Sequence, residues 1–368
     1  MKWNVLIFLL ALLLPPAFVS AEEESWGKGA EKDDKASSRI ISSPLLYYTP
    51  ETNLAFGLAG SFLFREANAL PGNRPSVISP LLIYTLNRQF KAQISSDIYL
   101  QKGNYVLKTE IKLEKYPDKY FGIGNNTREA NQEDYTSRSF GISVSLLKEF
   151  GRNLKAGLQY SFSNWTIKEW GSNGPPVGES IPGNHGGIVA GPTFLLNLDN
   201  RDNIFYPSRG ELFEMGYTFF DHNLGSDFNF HLFALNLRKY VPLFSSHVLA
   251  FQSLLQLEWG NVPFYYMSQL GGQNLLRGYY QGRFRDKNLI ALQVEYRLPI
   301  VWKLGGVAFA SIGQVADRLE QFAAGQFKYT MGVGLRYLFD RKEKIQVRAD
   351  IGFGRDSTGF YFSIFEAF

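Results

Sequence analysis

Residues 327–339 read Phe327-Lys328-Tyr329-Thr330-Met331-Gly332-Val333-Gly334-Leu335-Arg336-Tyr337-Leu338-Phe339. Every odd position is apolar or aromatic, and from Gln326 to Arg336 every even one is polar or glycine. Successive strand side chains point to opposite faces, so this stretch is a strand with one greasy face and one wet face. The pattern recurs. Tyr105, Leu107, Ile111 and Leu113 interleave with Asn104, Lys108, Glu110, Lys112 and Glu114, and Ile345, Val347, Ala349 and Ile351 with Gln346, Arg348 and Asp350. A soluble sandwich alternates in the same way, so length has to arbitrate. Many of these segments run well past the usual 5 or 6 residues of globular strands. They suit tilted membrane strands of about 9–11 residues with overhang.

Sixteen such segments are expected, near 41–48, 53–65, 76–87, 89–101, 103–116, 135–149, 152–167, 185–198, 210–221, 227–241, 246–260, 288–299, 304–313, 325–339, 343–352 and 357–367. An even count brings both termini to one side of a closed antiparallel barrel. The long connections 117–134, 168–184 and 261–287 then face outward, and 150–151, 242–245 and 340–342 are short periplasmic turns. The 66–75 turn is longer than that rule favours. The expected fold is thus all-β, a 16-stranded antiparallel transmembrane barrel in the Gram-negative outer membrane. With 31 Phe, 20 Tyr, 6 Trp and 35 Gly at a mean hydropathy of −0.16, the composition fits strands shared between lipid and water.

Ahead of the barrel, Lys2 and the ten-residue apolar run Val5–Leu14 precede Val19-Ser20-Ala21. That run is shorter than the roughly 20 residues a spanning helix needs, so residues 1–21 read as a signal peptide. Residues 22–39 are charged and almost free of aliphatic side chains, which reads as a disordered periplasmic leader. The barrel domain takes 40–368. The absence of cysteine excludes disulfides, thiolate metal sites and a lipid-modified N-terminal cysteine. A formal charge of +4 gives no reason to expect nucleic acid as a partner.

Chemistry-bearing patterns are sparse. His185, His222, His231 and His247 lack ligand spacing, and no serine sits in a nucleophile motif. Gly183-Asn184-His185-Gly186-Gly187 lacks the lysine and following helix of a phosphate loop. No catalytic, cofactor-binding or metal site is expected, and no cofactor.

Three ordered stretches carry more information. Asn197-Leu198-Asp199-Asn200-Arg201-Asp202-Asn203 runs into Tyr206-Pro207-Ser208-Arg209-Gly210 before a strand. The 261–287 segment holds Gly271-Gly272-Gln273-Asn274-Leu275-Leu276-Arg277-Gly278-Tyr279, and Gln293-Val294-Glu295-Tyr296-Arg297-Leu298-Pro299 follows. In this order, with Phe309-Ala310-Ser311-Ile312-Gly313 behind them, they resemble the barrel of the BamA/TamA-type assembly and secretion transporter superfamily (bacterial surface antigen family). The resemblance covers residues 40–368.

It implies that the Arg277 loop folds back into the lumen and that Glu295 accepts its guanidinium. Periodicity agrees, since a lipid-facing set of Leu292, Val294, Tyr296 and Leu298 turns Gln293, Glu295 and Arg297 inward. A solvated Arg277 is the alternative, and Arg297 competes for the same carboxylate. Family members carry an aspartate where Ser311 stands, so the second acidic partner of Arg277 is expected to be missing. Phe360, Phe362, Ile364 and Phe368 look like the family's C-terminal recognition signal, from which Glu366 departs. Members also carry periplasmic polypeptide-transport-associated domains, which 22–39 is too short to hold. A barrel-only member is expected, with client capture absent or left to a separate periplasmic protein.

The expected function is insertion or movement of proteins or lipids through a seam between the first strand, shortened and carrying Pro44, and the last. Two further readings stay open. One is a channel plugged by the Arg277 loop, its lumen wetted by Lys108, Glu110, Lys112, Arg336 and Arg348. The other is a non-enzymatic anchor or docking platform that uses the 117–134 and 168–184 loops. Expected partners are outer-membrane lipids and client proteins.

Overall fold

The structure, a computed structural model, describes residues 38–64, 75–151, 153–171, 181–341 and 344–368. The expected signal peptide lies outside them, as do nearly all of the leader, most of the 66–75 turn and the middle of the 168–184 loop.

The first eight strands are β1 (Arg39–Thr49), β2 (Asn53–Phe64), β3 (Ser76–Thr85), β4 (Phe90–Leu100), β5 (Tyr105–Tyr120), β6 (Glu133–Phe150), β7 (Leu154–Trp170) and β8 (Gly186–Asp199). Next come β9 (Gly210–Phe220), β10 (Phe230–Pro242), β11 (Val248–Gly260) and a small hairpin, β12 (Ser268–Leu270) with β13 (Phe284–Asp286). The last five are β14 (Asn288–Val301), β15 (Leu304–Ala316), β16 (Lys328–Asp340), β17 (Ile345–Gly354) and β18 (Ser357–Ile364). All but β12 and β13 close into one antiparallel barrel, each hydrogen-bonded to its sequence neighbour except where β11 pairs with β14. The sixteen expected strands are all present. The β12–β13 hairpin inside the 261–287 connection was not anticipated, and β18 ends at Ile364 rather than near residue 367.

The alternation explains the faces. Along β16, Met331 is 59 % exposed while the adjacent Thr330 is 2 % exposed. Tyr329, Val333 and Leu335 join Met331 on an outer surface that suits hydrocarbon, and Arg336 is buried inside. In lipid every backbone polar group needs a partner within the protein, and ring closure supplies one. The two-residue turn Trp302-Lys303 needs a left-handed residue to match the strand twist, and Trp302 takes it at φ 52°.

The lumen is filled unevenly. Towards the long-loop end, Tyr120, Tyr135, Phe220, Phe230 and Phe264 form an aromatic cluster from four strands and the 261–287 segment. On the β4–β5 wall the inward charges stay partly wet: Lys108–Asp97 at 2.9 Å, Lys112–Glu114 at 3.3 Å and Lys91–Glu114 at 3.6 Å. On the opposite wall, β14 to β17, the inward charges Glu295, Arg297, Arg336, Arg348 and Asp350 are buried.

Candidate functional site

The β14–β17 wall receives the loop. Gly271 (φ 108°) and Gly278 (φ 123°) take backbone conformations that L side chains rarely adopt, and both are pressed against backbone. A Cβ on Gly278 would lie 2.9 Å from the Gly354 nitrogen, and one on Gly352 only 2.3 Å from the Arg277 carbonyl oxygen. The loop thus seats where β17 has no side chains. Hydrogen bonds fix it there. Gly278 N–H donates to the Tyr361 hydroxyl (3.0 Å), the Ser357 hydroxyl to the Gly278 carbonyl (2.6 Å), and Arg355 N–H to the Tyr279 hydroxyl (2.9 Å). Leu276 and Tyr279 pack with Leu270, Phe284, Leu289 and Val315. The 261–287 connection is an inward-folded loop.

Arg277 is fully buried. One guanidinium nitrogen pairs with Glu295 Oε1, the other reaches Asp350 Oδ2 at 2.7 Å, and its plane lies 3.6 Å over the Phe309 ring. The expectation that Ser311 leaves Arg277 without a second acid is therefore corrected: Asp350, inward on β17, supplies it. Ser311 instead donates to Gln293 Oε1 at 3.2 Å. Arg297 does not displace Arg277 but takes the other oxygen, Glu295 Oε2, at 2.9 Å. Asp350 also receives Arg336 (2.5 Å) and Arg348 (3.4 Å). Charge-assisted pairs of this kind are shorter and stronger than neutral ones. Removing one partner from such a buried set costs several kcal/mol, because the remaining charges are stranded.

The short-turn end is tied to the same network. Arg297 Nη1 donates to the Pro207 carbonyl (3.3 Å) and Nη2 to the Phe368 carbonyl (3.1 Å), with the Tyr206 ring 5.5 Å away. Around Pro207, Arg201 makes a two-pronged pair with Asp199 at 2.9 and 2.8 Å. Asp202 caps the turn by accepting from Ser208 N–H (2.8 Å), the Ser208 hydroxyl and Arg209 N–H (3.2 Å). Those hydrogen bonds and Lys344 hold its carboxyl below the usual range, against burial, which acts the other way. Gly210 (φ 97°) lets β9 start beneath Asn200, whose carbonyl oxygen a Cβ would meet at 2.5 Å. The three sequence stretches thus converge on Glu295 and Arg297.

The C-terminal residues depart from expectation. Phe360 and Phe362 lie on β18, which ends at Ile364. At Phe365 (φ 70°) the chain turns into the lumen, and Phe368 is buried against Tyr240, Val248 and Ala250. Glu366 meets Arg336 at 2.8 Å, both nearly fully buried. An unbroken alternation would have set Glu366 in hydrocarbon, where an ionised side chain is costly. Glu366, the residue that departs from the family's C-terminal signal, is thus carried inward by the turn.

The sequence matches the Omp85 superfamily domain across residues 81–364. Among solved structures, BamA from Haemophilus ducreyi lacking POTRA domains 1–3 is similar at TM-score 0.62 and 15 % identity, over 91 % of this chain and 71 % of that one. CdiB from Acinetobacter baumannii (TM-score 0.57, 13 % identity) and CdiB from Escherichia coli (0.57, 11 %) are also similar. These cover 90 % and 91 % of this chain, which spans 59 % and 64 % of theirs. No curated protein matches the sequence.

Proposed function

This chain belongs to the Omp85 superfamily and is an integral barrel of the Gram-negative outer membrane, and we propose that it helps to insert or move proteins or lipids there through the seam between β1 and β18. One observation carries the reading. The seam has a single register pair, Tyr48 with Phe362, whereas even the short β8–β9 junction has seven. Continued downward, that register would set Leu46 opposite Ile364 and Pro44 opposite Glu366. The inward turn at Phe365 removes the second half of the partner strand. Arg39–Leu45 then face no strand on that side among the described residues, and Pro44 offers no N–H to one. Unpaired backbone groups cost several kcal/mol each in lipid. This edge therefore gains most from an added strand and yields most easily to sideways opening.

The role is non-catalytic, and its partners are outer-membrane lipids with client proteins or a separate periplasmic capture protein. The test uses Leu46→Cys with Ile364→Cys, the sole thiols in a chain without cysteine. In proteoliposomes given an unfolded eight-stranded outer-membrane barrel, the oxidised tether should block insertion and reduction should restore it. Insertion at full rate through a confirmed tether contradicts the proposal.

A further inference from the structure

The outer wall is not evenly convex. A hollow of about 890 Å³ crosses its lipid-facing surface from the start of β7 to β15. Leu237, Phe251, Leu292 and Ile312, each 37–44 % exposed, form its sides. Its depth comes from small side chains. Ser253 stands between Leu237 and Leu292 in one row of register partners, and Ala310 beside Val294 in the next. That second row begins with two charges. Glu211 and Lys239 face outward as register partners 2.7 Å apart, and Lys239 in turn stands opposite Phe251. The rows climb from one leaflet edge. Glu211 is at the start of β9 and Lys239 near the end of β10, both beside short turns, whereas Val294 and Ala310 fall midway along β14 and β15. One end of the hollow is thus charged and lies at the short-turn edge of the membrane. The other is apolar and deep in the hydrocarbon.

We propose that this hollow binds one phospholipid of the periplasmic leaflet, with a zwitterionic, amine-bearing headgroup at Glu211 and Lys239 and an acyl chain over Ser253 and Ala310. The site does not use the seam. Charge complementarity selects the headgroup. Lys239 pairs with the phosphate and Glu211 with the ammonium, so each exchanges its present partner for one of the same sign. The Lys239 and Glu211 side chains are 55 % and 45 % exposed, so a headgroup reaches both. Asn200 Nδ2 donates to Glu211 Oε1 at 3.3 Å and steadies that carboxylate. An anionic lipid without an amine would set a second negative charge beside Glu211 and leave it unpaired. The tail alone gives no preference, because bilayer chains are as apolar as the wall. Close fit in the hollow and the paired charges at its edge together set the residence time. Its volume falls within the roughly 300–1,000 Å³ of small-molecule sites.

Native mass spectrometry of the full chain, released from nanodiscs of equal phosphatidylethanolamine and phosphatidylglycerol, tests this. Wild type should retain one phosphatidylethanolamine, favoured about threefold or more over phosphatidylglycerol, as an exposed ion pair allows. Glu211→Gln should bring the two lipids to parity. Ser253→Trp fills the hollow and should remove the retained lipid, and Ala310→Leu, a milder filling, should weaken its retention. Ile142→Trp, outward on β6 and outside the hollow, is the control and should bind as wild type does. Retained heat-modifiable mobility in gels confirms folding of each variant. Equal retention of the two lipids by wild type would mean annular lipid only, and overturns the proposal. So does undiminished retention in whichever filling variant folds, or a preference for phosphatidylethanolamine that survives Glu211→Gln.

Discussion

Arg277 and Asp350, 73 residues apart in sequence, meet at 2.7 Å in the interior, one on a loop and the other on β17. Asp350 is shared by three guanidiniums, those of Arg277, Arg336 and Arg348. Glu295 is shared by two, those of Arg277 and Arg297.

Asp350→Ala should therefore destabilise the barrel by about 3–5 kcal/mol, the usual cost of stranding buried charge. Glu295→Gln should cost less, because it strands fewer arginines and keeps an acceptor. Urea unfolding in detergent, followed by heat-modifiable gel mobility, ranks the two; equal stabilities would contradict the shared-carboxylate picture.

Gly352→Ala places a methyl group against the Arg277 carbonyl, backbone on backbone, and should push the loop off β17. The expected loss is about 1–3 kcal/mol, as for other overpacked sites, with faster tryptic cleavage after Arg277 and Arg283. Gly325→Ala, which meets nothing within 4 Å, serves as the control and should match wild type.

Glu366→Ala takes from Arg336 one of its two acidic partners, leaving Asp350, and releases the tail from the lumen. Hydrogen–deuterium exchange at Ala367 and Phe368 should accelerate while exchange along β17 stays slow. Unchanged protection at the tail would mean that the Phe368 contacts alone hold it.

Asp202 gives a pH dependence with a defined sign. Its folded-state pKa lies below the unfolded value, so its contribution is present above the unfolded pKa and is lost as the pH falls through the folded one. Asp202→Asn should remove that acid-sensitive part, about 0.5–1 kcal/mol once solvent screening of this exposed carboxylate is allowed for. The difference from wild type should vanish in strong acid. It is read from unfolding midpoints measured across pH.

Much of the architecture was legible because period-two alternation is local. Lys108, Glu110 and Lys112 announce their face from three consecutive even positions, and the alternation of Leu292, Val294, Tyr296 and Leu298 turns the odd-numbered Glu295 inward. Asp350 was legible as an inward residue but not as the partner of Arg277, because that pairing depends on how the loop seats against Gly352 and Gly354. The turn at Phe365 was hidden by pattern: Phe360, Phe362, Ile364 and Phe368 keep one parity through the break.

The most direct test of the seam is a distance. Spin labels at Leu46→Cys and Ile364→Cys in lipid nanodiscs, read by pulsed dipolar spectroscopy, should give a short population and a longer one that grows when an unfolded client barrel is added. A single narrow distance, indifferent to the client, would contradict opening at this seam.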